Sequence, residues 1–133
     1  MKYILDANAA IAAMNDVGSV RARLAAVPGS EIGIPMVAVA ELLFGAYKSR
    51  RREENLARIA RLRQAIAILP LTDRVADLYG ENRAALEAGG VVKSDFDLII
   101  ACTALEQEAT LVTGDRGLLD DRIPGLRAEN WLE

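Results

Sequence analysis

The sequence has no histidine among its 133 residues and only one cysteine. Without imidazole, the chain cannot build a Ser-His-Asp triad, a Cys-His pair or a zinc site that includes histidine. The single cysteine, Cys102, excludes a disulfide framework within the chain and any CxxC metal or redox motif. Any catalysis must therefore rely on carboxylates, hydroxyls, lysine or arginine. A bound metal ion would have oxygen ligands, which favours Mg²⁺ or Mn²⁺.

Long hydrophobic runs are also missing, since no apolar segment approaches the ~20 residues that a membrane-spanning helix needs. The N-terminal segment combines one lysine with apolar residues, as a signal peptide does, but Asp6 and Asn8 interrupt it. We therefore expect a cytoplasmic protein. The hydrophobic content of 52% suits a packed core, and the length predicts a single domain over residues 1–133.

Short apolar segments alternate with helical patterns along the chain. We predict strands at residues 2–5, 32–34, 66–69, 110–113 and 126–128, and we expect those at 2–5, 66–69 and 110–113 to be buried. The predicted helices lie at 9–14, 19–26, 37–49, 56–66, 73–88 and 95–105, with a short helical turn at 117–120. This alternation is typical of βαβ units. The predicted fold class is therefore α/β, with a mostly parallel central sheet covered by helices on both faces.

Two aspartates follow predicted strands, at the edge where open parallel sheets bind their ligands. Asp6 ends the first strand, and Asp115 follows the fourth strand after one glycine. Asp97 lies in the first turn of a helix predicted to begin after Ser94. Glu41 interrupts the apolar segment VAVAELLF, which places its carboxylate among residues that we expect to face the core. Buried, unpaired carboxylates are costly, so a divalent cation would best explain such a cluster.

Each of these four acids also has a structural explanation. Asp6 and Asp115 could be ordinary turn or helix-cap residues, and Asp97 could stabilise the positive end of its helix. Glu41 has no partner among its helical neighbours, although a distant arginine could pair with it. The four together, on a fold that could bring them to one edge of the sheet, favour a functional site.

Four segments of the chain resemble the motifs of PIN-domain nucleases: LDAN at 5–8, AELLFGAYKS at 40–49, DLIIACTAL at 97–105 and LVTGD at 111–115. Together with YGENRAALEAGG and PGLRAENW, they resemble the VapC toxins of toxin–antitoxin pairs over nearly the whole chain. The resemblance implies a three-layer α/β/α sandwich and a toxin that hydrolyses RNA phosphodiester bonds with Mg²⁺ or Mn²⁺. It assigns Asp6, Glu41, Asp97 and Asp115 as the catalytic and metal-binding residues. The number of metal ions, one or two, stays open.

Other acids compete for two of these assignments. Asp95 competes with Asp97, which we prefer because it directly precedes LIIA, as the family motif requires. Asp120 and Asp121 compete with Asp115 but lie farther from the strand.

Ala7 departs from the pattern, because the family usually has threonine or serine after the first aspartate. The missing hydroxyl leaves an alternative open, a catalytically weak PIN module that only binds RNA or protein. A receiver-type signalling domain is another acidic α/β fold of this size. That class needs a late lysine and an aspartate after its middle strand, whereas the last lysine here is Lys93 and the third strand runs into Pro70.

The implied partners are an RNA substrate, a cognate antitoxin and a second copy of the chain in a homodimer, formed by the apolar helices at 37–47 and 56–66. Residues 48–63 carry two acidic and seven basic residues: Lys48, Arg50, Arg51, Arg52, Arg58, Arg61 and Arg63. This stretch could be a solvated surface, a phosphate-binding edge or a docking site for an acidic partner. The net charge of −3 does not exclude RNA, because without the four candidate acids 15 acidic residues face 16 basic ones. The RNA target cannot be inferred from the sequence.

Overall fold

A computed structural model describes all 133 residues, in five strands and six helices. In chain order these are β1 (Tyr3–Leu5), α1 (Ala7–Asn15), α2 (Val20–Ala25), β2 (Ile32–Pro35), α3 (Met36–Lys48), α4 (Arg52–Ala65), β3 (Ala67–Leu69), α5 (Asp73–Ala88), α6 (Asp95–Glu106), β4 (Thr110–Val112) and β5 (Arg127–Glu129). A 3-10 turn at Gly29–Glu31 precedes β2. None of the six helices has the length and hydrophobicity that a membrane-spanning helix requires.

The five strands form one sheet in the order β3-β2-β1-β4-β5, and every neighbouring pair is parallel. The chain moves outward from β1 to β3 and then returns across the sheet to β4 and β5. Because such crossovers are almost always right-handed, the outward and returning connections cover opposite faces of the sheet. The predicted α/β sandwich is confirmed, with a sheet that is entirely parallel.

The core is centred on the three middle strands, where Ile4, Ile34, Leu111 and Val112 are completely buried. Burying such a side chain contributes about 1.5–3 kcal/mol each. A strand forms at Ala67–Leu69, but the prediction that it is buried is wrong, because β3 lies at the edge of the sheet and all its residues are only half-buried. An edge strand has a neighbour on one side only, which the apolar sequence of β3 does not reveal.

Polar side chains mark the beginnings of α5 and α6. The side chains of Thr72 and Ser94 accept hydrogen bonds from the first turns of α5 and α6. In place of the helical turn predicted at 117–120, a turn lies at 116–118, where the carbonyl of Asp115 accepts the amides of Leu118 and Leu119 without a continuing helix. The last strand begins at Arg127, one residue later than predicted.

Candidate active site

The topology brings Asp6 and Asp115 to the same edge of the sheet. β1 and β4 are adjacent, with Leu5 opposite Val112, so the residues that follow both strands emerge side by side. α6 leads into β4 and therefore starts at this edge, with Asp97 in its first turn. α3 begins directly after β2 and carries Glu41 in its second turn. The four candidate acids thus approach one another from four different elements.

Asp6 is the most firmly held of the four, with only 6% of its surface exposed. It caps α1, accepting the amide of Ala9 at 2.7 Å on Oδ1, and it accepts the Thr113 hydroxyl at 2.5 Å on Oδ2. Burial raises the pKa of Asp6, these hydrogen bonds oppose that shift, and the charge of Asp115 adds to it. Asp6 is therefore a rigid carboxylate whose charge is poorly compensated.

The site also includes Thr113, which was predicted only as a residue of a strand. Its side chain is completely buried, and its Oγ1 accepts the amide of Asp115 at 3.0 Å while donating to Asp6. One hydroxyl therefore connects the Asp6 carboxylate to the backbone of Asp115. The signal in the sequence is a hydroxyl residue at the end of an apolar strand, two positions before Asp115.

Asp97 and Asp115 form a close pair of carboxyl groups. Burial is the main cause of the raised pKa of Asp97, and the charge of the nearby Asp115 side chain adds to it. The hydroxyl of Ser94 accepts the Asp97 amide at 3.2 Å, and the amide of Gly117 donates to Asp115 Oδ1 at 2.8 Å. The Asp115 carboxylate is thus held by its own loop and Asp97 is placed by the capped start of α6, an arrangement that brings like charges together.

Glu41 is exposed, so the expectation that it is placed among core residues is wrong. α3 is apolar on two sides: Val39 and Leu42 face the core, whereas Phe44 and Tyr47 are exposed. The pKa of Glu41 is nevertheless raised, by partial burial first and then by the charges of Asp97 and Asp6. Glu41 therefore lies on the solvent-exposed side of the carboxylate cluster.

The competing acids have other partners. Asp95 accepts hydrogen bonds from the Tyr79 hydroxyl at 2.7 Å and from Arg83 at 2.9 Å, on the side of α6 that faces α5. Asp120 binds Lys93 Nζ at 2.8 Å, and this bond is the main cause of its lowered pKa. Asp121 is exposed. None of the three is a cause of the raised pKa values in the cluster.

Comparison with known proteins agrees with this geometry. The PIN domain family model matches residues 3–122. The chain belongs to the PIN-domain family. It is 34% identical to ribonuclease VapC2 of Rickettsia felis and 34% identical to the tRNA(fMet)-specific endonuclease VapC of Shigella flexneri, in each case over 98% of both chains. Among solved structures, it is similar to VapBC2 from Rickettsia felis bound to a promoter DNA fragment, with a TM-score of 0.88 and 32% identity over 98% of this chain and 99% of that one. DNA-bound VapBC from Salmonella typhimurium also gives a TM-score of 0.88, with 30% identity over 98% of both chains.

The charge balance of this PIN domain suits a divalent cation. The structure contains six ion pairs, and none includes Asp6, Glu41, Asp97 or Asp115. No group of three or more acidic or cysteine side chains lies close enough together to hold one ion by itself. Mg²⁺ commonly binds one or two protein carboxylates and keeps several waters, so the carboxylate pairs match its usual demands. The all-oxygen donor set fits Mg²⁺ or Mn²⁺.

Two of the seven basic residues at 48–63 have structural roles in the PIN domain. Arg58 donates to the Met14 carbonyl and to Asn15 at the end of α1, and Arg52 donates to the Tyr47 carbonyl at 3.1 Å. The other five are exposed. The stretch therefore combines helix-joining contacts with a basic surface.

Proposed function

We propose that this PIN domain is a metal-dependent endoribonuclease that acts as the toxin of a toxin–antitoxin pair. The observation that carries the proposal is the cluster of four carboxylates, without basic partners, at the carboxyl edge of the sheet. The names of the relatives, ribonuclease VapC2 and tRNA(fMet)-specific endonuclease VapC, support an RNA substrate. We expect the protein to act in the cytoplasm, where RNA is available.

The proposal gives the four acids distinct tasks. Asp6, Asp97 and Asp115 would hold the ion, Mg²⁺ or Mn²⁺, directly or through its water ligands. Hydrogen bonds from Ala9 and Thr113 fix the carboxylate of Asp6, the amide of Gly117 fixes that of Asp115, and the capped first turn of α6 places Asp97. When bound, the ion lowers the pKa of a water ligand and offsets the charge that develops on the phosphate. Glu41 has no hydrogen-bond or ion-pair partner and is exposed, so it is free to orient the attacking water.

Two protein partners belong to the proposal. The solved neighbours are VapBC complexes, which supports a cognate antitoxin for this chain. A homodimer is supported by the exposed side chains of Met36, Phe44 and Tyr47, which form an apolar stripe along α3. In α4, by contrast, Leu56 and Leu62 pack against the core, so α3 is the better candidate for the dimer surface.

Cleavage of transfer RNA is the direct test of this function. The wild type, Asp97→Asn and Asp95→Asn should be compared with Mg²⁺, Mn²⁺ or EDTA. Asp95→Asn is the matched control, because it removes a carboxylate two residues away that pairs with Arg83 instead of joining the cluster. We expect the wild type and Asp95→Asn to cleave only with metal, and Asp97→Asn to lose about 100-fold or more. Equal cleavage by all three proteins contradicts the assigned site.

Ala7 supports a second candidate, a module that binds RNA or a protein partner without cleaving. Ala7 is the first residue of α1, directly after Asp6, and contributes no hydroxyl there. If the missing hydroxyl makes the protein a weak nuclease, Ala7→Thr should cleave RNA faster than the wild type. Growth arrest on expression, relieved by co-expression of the adjacent upstream open reading frame, supports the toxin instead. No cleavage by either protein with any metal favours the binding module.

A further inference from the structure

Lys93 is the most buried charged side chain in an ion pair of this protein, with 6% of it exposed. It lies in the loop between α5 and α6, one residue before Ser94, which caps α6. Its ammonium group donates to the carbonyl of Gly117 and to Asp120 Oδ2, the latter at 2.8 Å. A buried ammonium group requires such partners, so the conformation of this lysine is tied to both of them.

Both partners of Lys93 belong to the loop at residues 114–122, which carries Asp115. Gly117 is held from two sides, because its carbonyl accepts from Lys93 while its amide donates to Asp115 Oδ1 at 2.8 Å. A Cβ atom added at Gly117 would lie only 3.1 Å from Asp115 Oδ1, which shows how closely the two residues pack. A displacement of Gly117 would therefore displace the Asp115 carboxylate.

The carboxylates of Asp97 and Asp115 repel each other, so the segments that carry them need an attractive contact to stay together. Apart from the contact between Asp97 and Asp115, the hydrogen bonds between residues 89–97 and 114–122 both come from Lys93. The amide bonds from Leu118 and Leu119 to the Asp115 carbonyl stay within one loop and cannot hold it against α6. The ammonium group of Lys93 thus supplies the attraction between two segments that each carry a negative charge.

We propose that Lys93 is a positioning residue that fastens the 114–122 loop to the start of α6 and so keeps Asp115 beside Asp97. This inference rests on the proposed function, because it assumes that the two carboxylates act together on a divalent ion. Lys93 itself touches neither carboxylate, and it acts through Gly117 and Asp120.

The test compares Lys93→Met with Arg83→Met by their affinity for Mn²⁺ alone, measured by calorimetry on the full chain. Arg83 is the matched control, because it is a cation that bonds to Asp95 at the same helix start but makes no contact with the 114–122 loop. We expect Lys93→Met to weaken Mn²⁺ binding about 10-fold or more, as is typical when support of a ligand is lost, and Arg83→Met to bind like the wild type.

Hydrogen exchange provides a readout that does not depend on cleavage. We expect the amides of residues 114–122 to exchange faster in Lys93→Met than in Arg83→Met. Asp120→Asn keeps the bond from Lys93 to the Gly117 carbonyl, so it should give a smaller change of the same sign in both measurements. If Lys93→Met does not fold, Asp120→Asn against Arg83→Met decides the question.

The outcomes separate this inference from the function on which it rests. Equal Mn²⁺ affinities of Lys93→Met and Arg83→Met, in a wild type that binds Mn²⁺ and cleaves RNA, overturn the positioning role alone. Faster exchange without loss of affinity also overturns it, because Lys93 would then only stabilise the loop. A wild type that binds no Mn²⁺ overturns the metal site and this role together.

Discussion

Replacing Asp97 by asparagine should make the metal-free protein more stable while it abolishes activity. Asparagine keeps the size of the side chain and leaves the amide bond to Ser94 intact, but it removes one charge from the cluster. The pKa of Asp97 is raised by burial and by Asp115 and Asp6, so the folded state holds its proton more tightly than the unfolded state does. That stabilisation is complete below the ordinary pKa of 3.8 and is lost as the pH rises through the folded pKa.

The expected gain in the free energy of unfolding follows from the negative charges next to Asp97. Two unit charges 4 Å apart repel by about 4 kcal/mol at an effective dielectric constant of 20. The Asp97 side chain is only half-buried, so solvent screening reduces the repulsion that the substitution removes to about 1 kcal/mol. For a chain of this size, this corresponds to a rise of about 3–5 °C in Tm.

Thermal and urea unfolding of the wild type and Asp97→Asn at pH 7 in EDTA measure this difference. The gain should shrink as the pH falls and disappear below pH 3.8, where the wild-type carboxyl also carries a proton. With Mn²⁺ at about 100 times its Kd, the wild type gains about 2.7 kcal/mol and becomes the more stable protein. A variant less stable than the wild type in EDTA refutes the reasoning, because the cluster would then hold no repulsion.

Three further substitutions test other parts of the site. Thr113→Val should lower the free energy of unfolding by about 1–3 kcal/mol and weaken Mn²⁺ binding, because it leaves a buried Asp6 oxygen without its donor, whereas Thr113→Ser should retain both properties. Glu41→Gln should reduce RNA cleavage with a change in Tm of less than about 2 °C, since the side chain is exposed and unpaired; a large loss of stability would contradict its assigned position. Phe44→Ser should shift the protein from dimer to monomer in analytical ultracentrifugation, and an unchanged mass would exclude the α3 stripe as the dimer surface.

Local signals and one topological rule were enough to predict most of this site. The strands before Asp6 and Asp115 are short, apolar and clearly bounded, and the helix that carries Asp97 begins with a serine cap. The rule that ligands bind beyond the carboxyl ends of parallel strands then placed these acids at one edge. No long-range information was needed, because β1 and β4 are adjacent in the sheet.

What the sequence did not reveal depends on contacts between distant segments. Glu41 was expected among core residues, but both sides of α3 are apolar and only packing decides which side is buried. The hydroxyl of Thr113 at the end of an apolar strand does not by itself indicate its partners, and Lys93 resembles any surface lysine. Their roles arise from partners 107 and 24 residues away along the chain.

The chain has no histidine and the site has no ion pair, and both features leave the carboxylates available to a divalent ion. Basic residues are available close by in the chain, since Lys93 lies four positions before Asp97 and Arg116 directly follows Asp115. The structure directs Lys93 toward Gly117 and Asp120, and it leaves Arg116 exposed. An arginine or lysine inside the cluster would neutralise the carboxylates and compete with a divalent ion for them. The fold therefore uses its nearby positive charge to hold the backbone around the cluster, which leaves the negative charge for the ion.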